Sequence, residues 1–164
     1  MSKIVPWFNK KELNRMIKNY KSVCGRSRFK ELSGLTPEEF VNHEDAPEWF
    51  CEYIIYFSKE RDESFEAVIK KSPQWSFWYV ADFSKERDES FEAVIKTSSQ
   101  YSYWYIIMFL KKREESFEES IKESPSWSYY YVMDFLKERE ESFEESIKQN
   151  DFLWKKYQEY FLTA

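Results

Sequence analysis

The chain has 164 residues, enough for one domain or one short repeat array, and 21% of them are aromatic against only 2 Gly and 5 Pro. That ring content can build a core, and so little Gly argues against a hairpin-rich β protein. The net charge of −5 is unevenly placed: residues 1–30 hold nine Lys/Arg against Glu12 alone, whereas residues 31–164 carry 16 basic and 29 acidic side chains.

The basic start has two readings, an arm for nucleic acid or an acidic protein, or a solvated first helix docking on an acidic array; the second is preferred. Cys24 and Cys51 allow at most one disulfide, which is no framework for a small secreted domain. The start MSKIVPWFNKK lacks the apolar core of a signal peptide, and no apolar run approaches the ~18 residues of a membrane span. The expected compartment is the reducing cytosol.

In chain order, Asn9 is placed to cap a helix from Lys10 to about Val23, with Leu13, Met16, Ile17 and Tyr20 on one face. Cys24-Gly25-Arg26-Ser27 reads as its end, and Thr36-Pro37-Glu38-Glu39 as a second helix start. Residues 1–44 obey no period, and their expected role is a basic helical cap docked on the remainder of the chain.

From residue 45 to 148 the chain repeats itself four times, every 26 residues. Arg61, Arg87, Arg113 and Arg139 fall in step, as do Phe65, Phe91, Phe117 and Phe143, and Ile69, Ile95, Ile121 and Ile147. Such a period marks an array whose units bury their apolar faces against their neighbours. In the second copy Ser72-Pro73 is a helix start; Ser124-Pro125, Ser98-Ser99, Asn150-Asp151 and Ala46-Pro47 stand at the same place. Trp75, Trp78, Tyr79, Asp82 and Phe83 then recur at i, i+3, i+4, i+7 and i+8, which selects a helix over a strand, from Pro73 to about Glu86. Asp88 is placed to cap a second, short helix ending near Lys96, with Phe91, Val94 and Ile95 inward. Residues 149–164 form a terminal helix, with Leu153, Trp154, Tyr157 and Phe161 covering the last unit. The predicted fold is therefore all-α, a short α-solenoid of helix-turn-helix repeats in a single compact array, with Trp75, Tyr79, Phe83, Phe91 and Ile95 and their equivalents as core.

Pro73, Trp75, Tyr79, Asp82, Lys85, Arg87, Glu92 and Ile95, repeated as Pro125, Trp127, Tyr131, Asp134, Lys137, Arg139, Glu144 and Ile147, carry a resemblance. The unit is similar to tandem 26-residue repeats of the form D-P-x-W-A-Y-x-Y-A-x-D-V-I-K-x-R-W-P-E-A-E-x-x-I found in bacteriophage and bacterial proteins. The match spans roughly residues 45–160 and departs at Asp88-Glu89-Ser90, so it leaves the turn between helices open. It implies a helical repeat of mobile-element origin and no activity.

No metal-ligand spacing, phosphate loop or nucleophile elbow is present. His43, the lone histidine, beside Glu44 and Asp45, reads as a surface residue. The carboxylates recur periodically, as on a solvated face, and offer no pair in unequal environments. The expectation is a chain with no enzymatic activity, no cofactor and no metal. The periodic Arg has two readings: an anion-binding edge of Lys85, Arg87, Lys111 and Arg113, or an ion pair between repeats, with Asp82 or Asp134 as the partner.

The first helix of each copy carries more rings than one face can bury. Phe77, Tyr103 and Tyr129 lie roughly opposite Trp75 and Trp127 on a helical wheel, and Trp78, Trp104 and Tyr130 lie near the edge of the arc. Either this helix is a middle layer buried on both sides, or these six residues form a recognition surface for another protein. Exact duplication, FSKERDESFEAVIK at both 57–70 and 83–96, fits a surface that can be lengthened. The leading functional expectation is a phage-encoded protein-binding module that inhibits a host or defence protein, in the host cytoplasm. The alternatives are nucleic-acid binding or mimicry, which the charge pattern opposes, and sequestration of a small ligand in an aromatic pocket.

Overall fold

The computed structural model describes residues 9–20 and 34–162. Among these the chain is all-α with no strand, in eleven α-helices. It divides into two compact units, Met1–Lys85 and Glu86–Ala164.

In the first unit α1 (Lys10–Tyr20) and α2 (Pro37–Asn42) precede the repeats. Asn9 caps α1 by accepting from the Lys11 and Glu12 amides at 2.9 and 3.3 Å. Thr36 and Glu39 form a reciprocal capping box on α2. Leu13, Met16 and Ile17 are buried as their spacing demands. The expectations for the Tyr20 side chain and for residues 21–27 lie outside the described residues. Arg15 Nε donates to Tyr53 Oη at 2.8 Å, tying the basic helix to the first repeat.

Each repeat pairs two short α-helices, the first of which runs on into a π-helical turn. The first helices are α3 (Ala46–Tyr53), α5 (Pro73–Tyr79), α7 (Ser99–Tyr105) and α9 (Pro125–Tyr130). The second helices are α4 (Glu63–Ile69), α6 (Glu89–Ile95), α8 (Glu115–Lys122) and α10 (Glu141–Ile147), followed by the terminal α11 (Asp151–Phe161). The second helices are short because they are bounded on both sides. Asp62 and Asp88 cap α4 and α6 by accepting from the Ser64 and Ser90 amides, and the Lys70 and Lys96 amides close the last turns. Ser72 and Asn150 cap their helices through their side chains, whereas Ser98 and Ser124 make no such bond.

The expected first helix running to Glu86 is corrected at its end. After Tyr79 the helix widens into a π-helical turn, Val80–Ser84, closed by the Lys85 amide donating to the Val80 carbonyl at 2.7 Å. The same turn closes at Lys59, Lys111 and Lys137, and all four lysines are left-handed, with φ between 52° and 58°. Nothing local announced this, because the residue that normally supplies a left-handed stop is glycine. A Cβ in this conformation costs about 1–2 kcal/mol. Lys111→Gly is therefore expected to gain about 1 kcal/mol in urea unfolding. A loss would show that the lysine side chain outweighs the strain.

Phe91, Ile95, Tyr105, Phe117, Ile121, Tyr131, Phe143, Ile147 and Tyr157 are all fully buried, forming the core of the second unit. Tyr79, Val68 and Ile69 belong to the core of the first. The expected core is corrected at two slots of the repeat: Trp75, Tyr101 and Trp127 are half-buried, although Trp49 is buried, and so are Phe57, Phe83, Phe109 and Phe135. Val94, expected inward on α6, is half-buried as well. On α11 Tyr157 is buried, while Leu153, Trp154 and Phe161 are half-buried.

Candidate functional site

The periodic arginines resolve into a bolt across each seam. Arg61, Arg87, Arg113 and Arg139 donate through Nε to Glu66, Glu92, Glu118 and Glu144 at 2.7–2.8 Å. Each glutamate is buried and also accepts from a tyrosine 13 residues further on, in the next copy: Tyr79 at 2.7 Å, Tyr105 at 3.3 Å, Tyr131 at 2.7 Å and Tyr157 at 3.4 Å. A carboxylate can be buried here because charged and phenolic donors surround it. Burial pushes the Glu118 carboxyl up, but the hydrogen bonds from Arg113 and Tyr131 prevail and hold it below the usual range. The Tyr131 phenol is driven well above its ordinary value by burial and by that same carboxylate.

This corrects the expected partner of the arginines. Asp82 and Asp134 are exposed, and each arginine pairs first with a glutamate of its own repeat. The tyrosines cross to the next copy, and of the expected ion pairs between repeats Arg113 makes one, to Glu140. The signal was in the sequence, since Glu66, Glu92, Glu118 and Glu144 keep step with Arg and Tyr. As an anion-binding edge the group is weakened, because the Arg87 and Arg113 guanidiniums are committed to Glu92 and Glu118, and Arg113 also to Glu140 at 2.7 Å. Lys85 and Lys111 are exposed and close the π-helical turns.

The six expected contact rings divide. Phe77 and Tyr103 are buried, at 2% and 6% exposure, and Tyr129 is half-buried, so at that helical position the middle-layer reading applies. Trp78, Trp104 and Tyr130, one residue later, are 41%, 39% and 44% exposed. Within the second unit the reason is the packing of successive first helices on one another. Tyr103 on α7 meets Trp127 on α9 at 5.3 Å between centroids, and its hydroxyl donates to Asp134 Oδ2 at 3.3 Å. Burial and that carboxylate push the Tyr103 phenol up to about 12.

In the second unit Trp104, Trp127 and Tyr130 form a continuous ring cluster. Trp104 and Trp127 are 6.5 Å apart and inclined at 64°, and Trp127 and Tyr130 are 5.8 Å apart at 54°. Met108, one turn beyond Trp104, extends the apolar strip and was not anticipated. In the first unit Trp78 stands edge-on to Phe77 at 5.3 Å, with exposed Asp82 one turn on.

The remaining chemistry-bearing groups are occupied structurally. His43 stacks on Trp49 at 4.7 Å and accepts from the Asp45 amide. Cys51 is a buried free thiol, raised far above its usual range by burial, and its sulfur lies 3.7 Å from the Trp75 carbonyl. Among the described residues no group of three or more His, Cys, Asp or Glu could hold a metal, and no helix is long and apolar enough to cross a membrane. No family model, curated protein or solved structure matches the chain.

Proposed function

We propose that this chain is a non-enzymatic helical-repeat module that binds another protein through the exposed rings of its first helices. One observation carries the reading: Trp78, Trp104 and Tyr130 occupy the same slot of three successive repeats and stay exposed, while the ring before each is buried or half-buried. A ring held out of the core at every turn of a repeat contributes little to folding, and Trp and Tyr lead among residues that dominate protein interfaces. The bolts beneath hold those rings in place, which lowers the entropy lost on binding. The resemblance to phage repeats favours a host or defence factor as partner, met in the cytoplasm of the host cell. Nucleic acid is disfavoured because the repeats are acidic and repel phosphate.

The test compares two variants. Trp104→Ser with Tyr130→Ser is expected to leave the melting temperature nearly unchanged and to abolish cross-linking to a partner in bacterial lysate. Tyr103→Ser, one residue away, is expected to destabilise by about 2–4 kcal/mol, because it removes a buried ring. Partner cross-linking that survives the double change would overturn the reading.

A further inference from the structure

The exposed cluster of the second unit is chemically lopsided, which narrows the partner that the proposed function requires. Aromatic faces are electronegative, and cations are attracted to them. Trp104, Trp127 and Tyr130 meet at 54–64° and therefore do not stack flat on one another; Trp104 and Tyr130 are exposed, while Trp127 is half-buried against Tyr103. Asp134 sits one turn beyond Tyr130, exposed, with the Tyr103 hydroxyl donating to it. Among the described residues no lysine or arginine forms an ion pair with Asp134. Three rings and one uncompensated carboxylate make a surface suited to a positive charge.

The chain uses the same chemistry inside itself. Lys96 lies over Phe117 at 4.5 Å, Lys122 over Phe143 at 4.8 Å, and Lys148 over Trp154 at 4.7 Å. Those rings are already served by the chain's own lysines, whereas among the described residues no such contact is made to Trp104, Trp127 or Tyr130. The first unit, taken by itself, repeats the pairing of an exposed ring with an acid one turn on, Trp78 with Asp82. With 29 acids against 16 bases in residues 31–164, the surroundings favour approach of a basic chain as well.

We propose, resting on the protein-binding reading, that this face receives an arginine- or lysine-rich segment of the partner protein. Trp104, Trp127 and Tyr130 take the cationic group on their faces, and Asp134 supplies the counter-charge. Arginine is preferred to lysine, since its planar guanidinium can stack on an indole while donating to a carboxylate.

The experiment titrates the full chain with fluorescein-labelled octa-arginine, octa-lysine and octa-glutamate and measures anisotropy. Octa-arginine is expected to bind more tightly than octa-lysine, and octa-glutamate not at all. Asp134→Asn and Trp104→Leu are each expected to weaken octa-arginine about tenfold, the leucine keeping apolar bulk while deleting the π face. Glu145→Gln, an exposed acid on the second helix α10 that makes no ring or tyrosine contact among those described, is expected to change binding less than twofold. A loss with Glu145→Gln as large as that with Asp134→Asn would reduce the effect to general acidity and overturn the site, as would unchanged binding in Asp134→Asn or Trp104→Leu. The two readings fail separately. If the double serine variant loses its lysate partner while octa-arginine ignores Asp134→Asn, protein binding stands and the cation site falls. If the double serine variant keeps its lysate partner while Asp134→Asn loses octa-arginine, the rings and Asp134 bind cations, but the partner does not use them and the protein-binding reading at this face falls.

Discussion

Phe91→Ala is expected to remove about 3–5 kcal/mol from the stability of the chain, a loss comparable to the whole of a small domain's margin. Phe91 is fully buried on α6, whose seven residues are too few to hold a helix in water without packing. Truncating its ring removes the transfer energy of the side chain and opens a cavity that α6, bounded by its caps, cannot collapse to fill. Urea unfolding monitored by circular dichroism measures the effect. A midpoint within a few tenths of molar of the parent would show that α6 is not anchored by this ring.

Glu118→Ala is the second large effect, at about 1–3 kcal/mol, because it leaves the buried Tyr131 hydroxyl without its acceptor. Arg113 is half-exposed and keeps Glu140 and water, so its charge adds little to the loss. The companion variant Glu118→Leu with Tyr131→Phe replaces both buried partners and is expected to recover most of the stability. Failure of the double change to recover it would mean that the bolt acts through more than this pair. The same group predicts an acid response. Burial pushes the Glu118 and Glu144 carboxyls up, yet arginine and, for Glu118, Tyr131 hold both below their ordinary values. Their folded-state values are lower than the unfolded ones. Their contribution is therefore complete above the ordinary carboxylate range, near pH ~4.3, and is lost as pH falls through the lowered values. Melting temperatures measured from pH 6 to 2.5 are expected to drop at the acid end, and Glu118→Ala is expected to flatten that drop.

The repeat, its helices and the inner face of the second helix were legible because they rest on periodicity and capping, which are local. Asp88 caps where its side chain suggested, and Phe91 and Ile95 lie inward. The four left-handed lysines were not legible, since no glycine marks them. Nor was the division between Tyr103 and Trp104: a helical wheel separates them by one step of about 100°, and only the contact of α7 with α9 decides which is covered. The arginine partner was missed for a related reason. Asp82 and Asp134 share an arc with the core rings, which suggested burial, yet the buried acid is the glutamate five residues after each arginine. Its tyrosine lies 13 residues away, in another copy, and a reading confined to one unit does not reach it.

The near identity of the bolts carries a consequence for how the chain finds its fold. Any of the four glutamates presents almost the same docking site to any of the four tyrosines, so chemistry does little to distinguish right pairing from wrong. What distinguishes it is tethering. The proper tyrosine comes 13 residues after its glutamate, which keeps its local concentration far above that of a tyrosine on another molecule. As protein concentration rises that advantage shrinks, and separate molecules can trade repeats during refolding. Refolding yield is thus set by dilution, and the commonest misfolded species would be exchanged oligomers whose every seam is native.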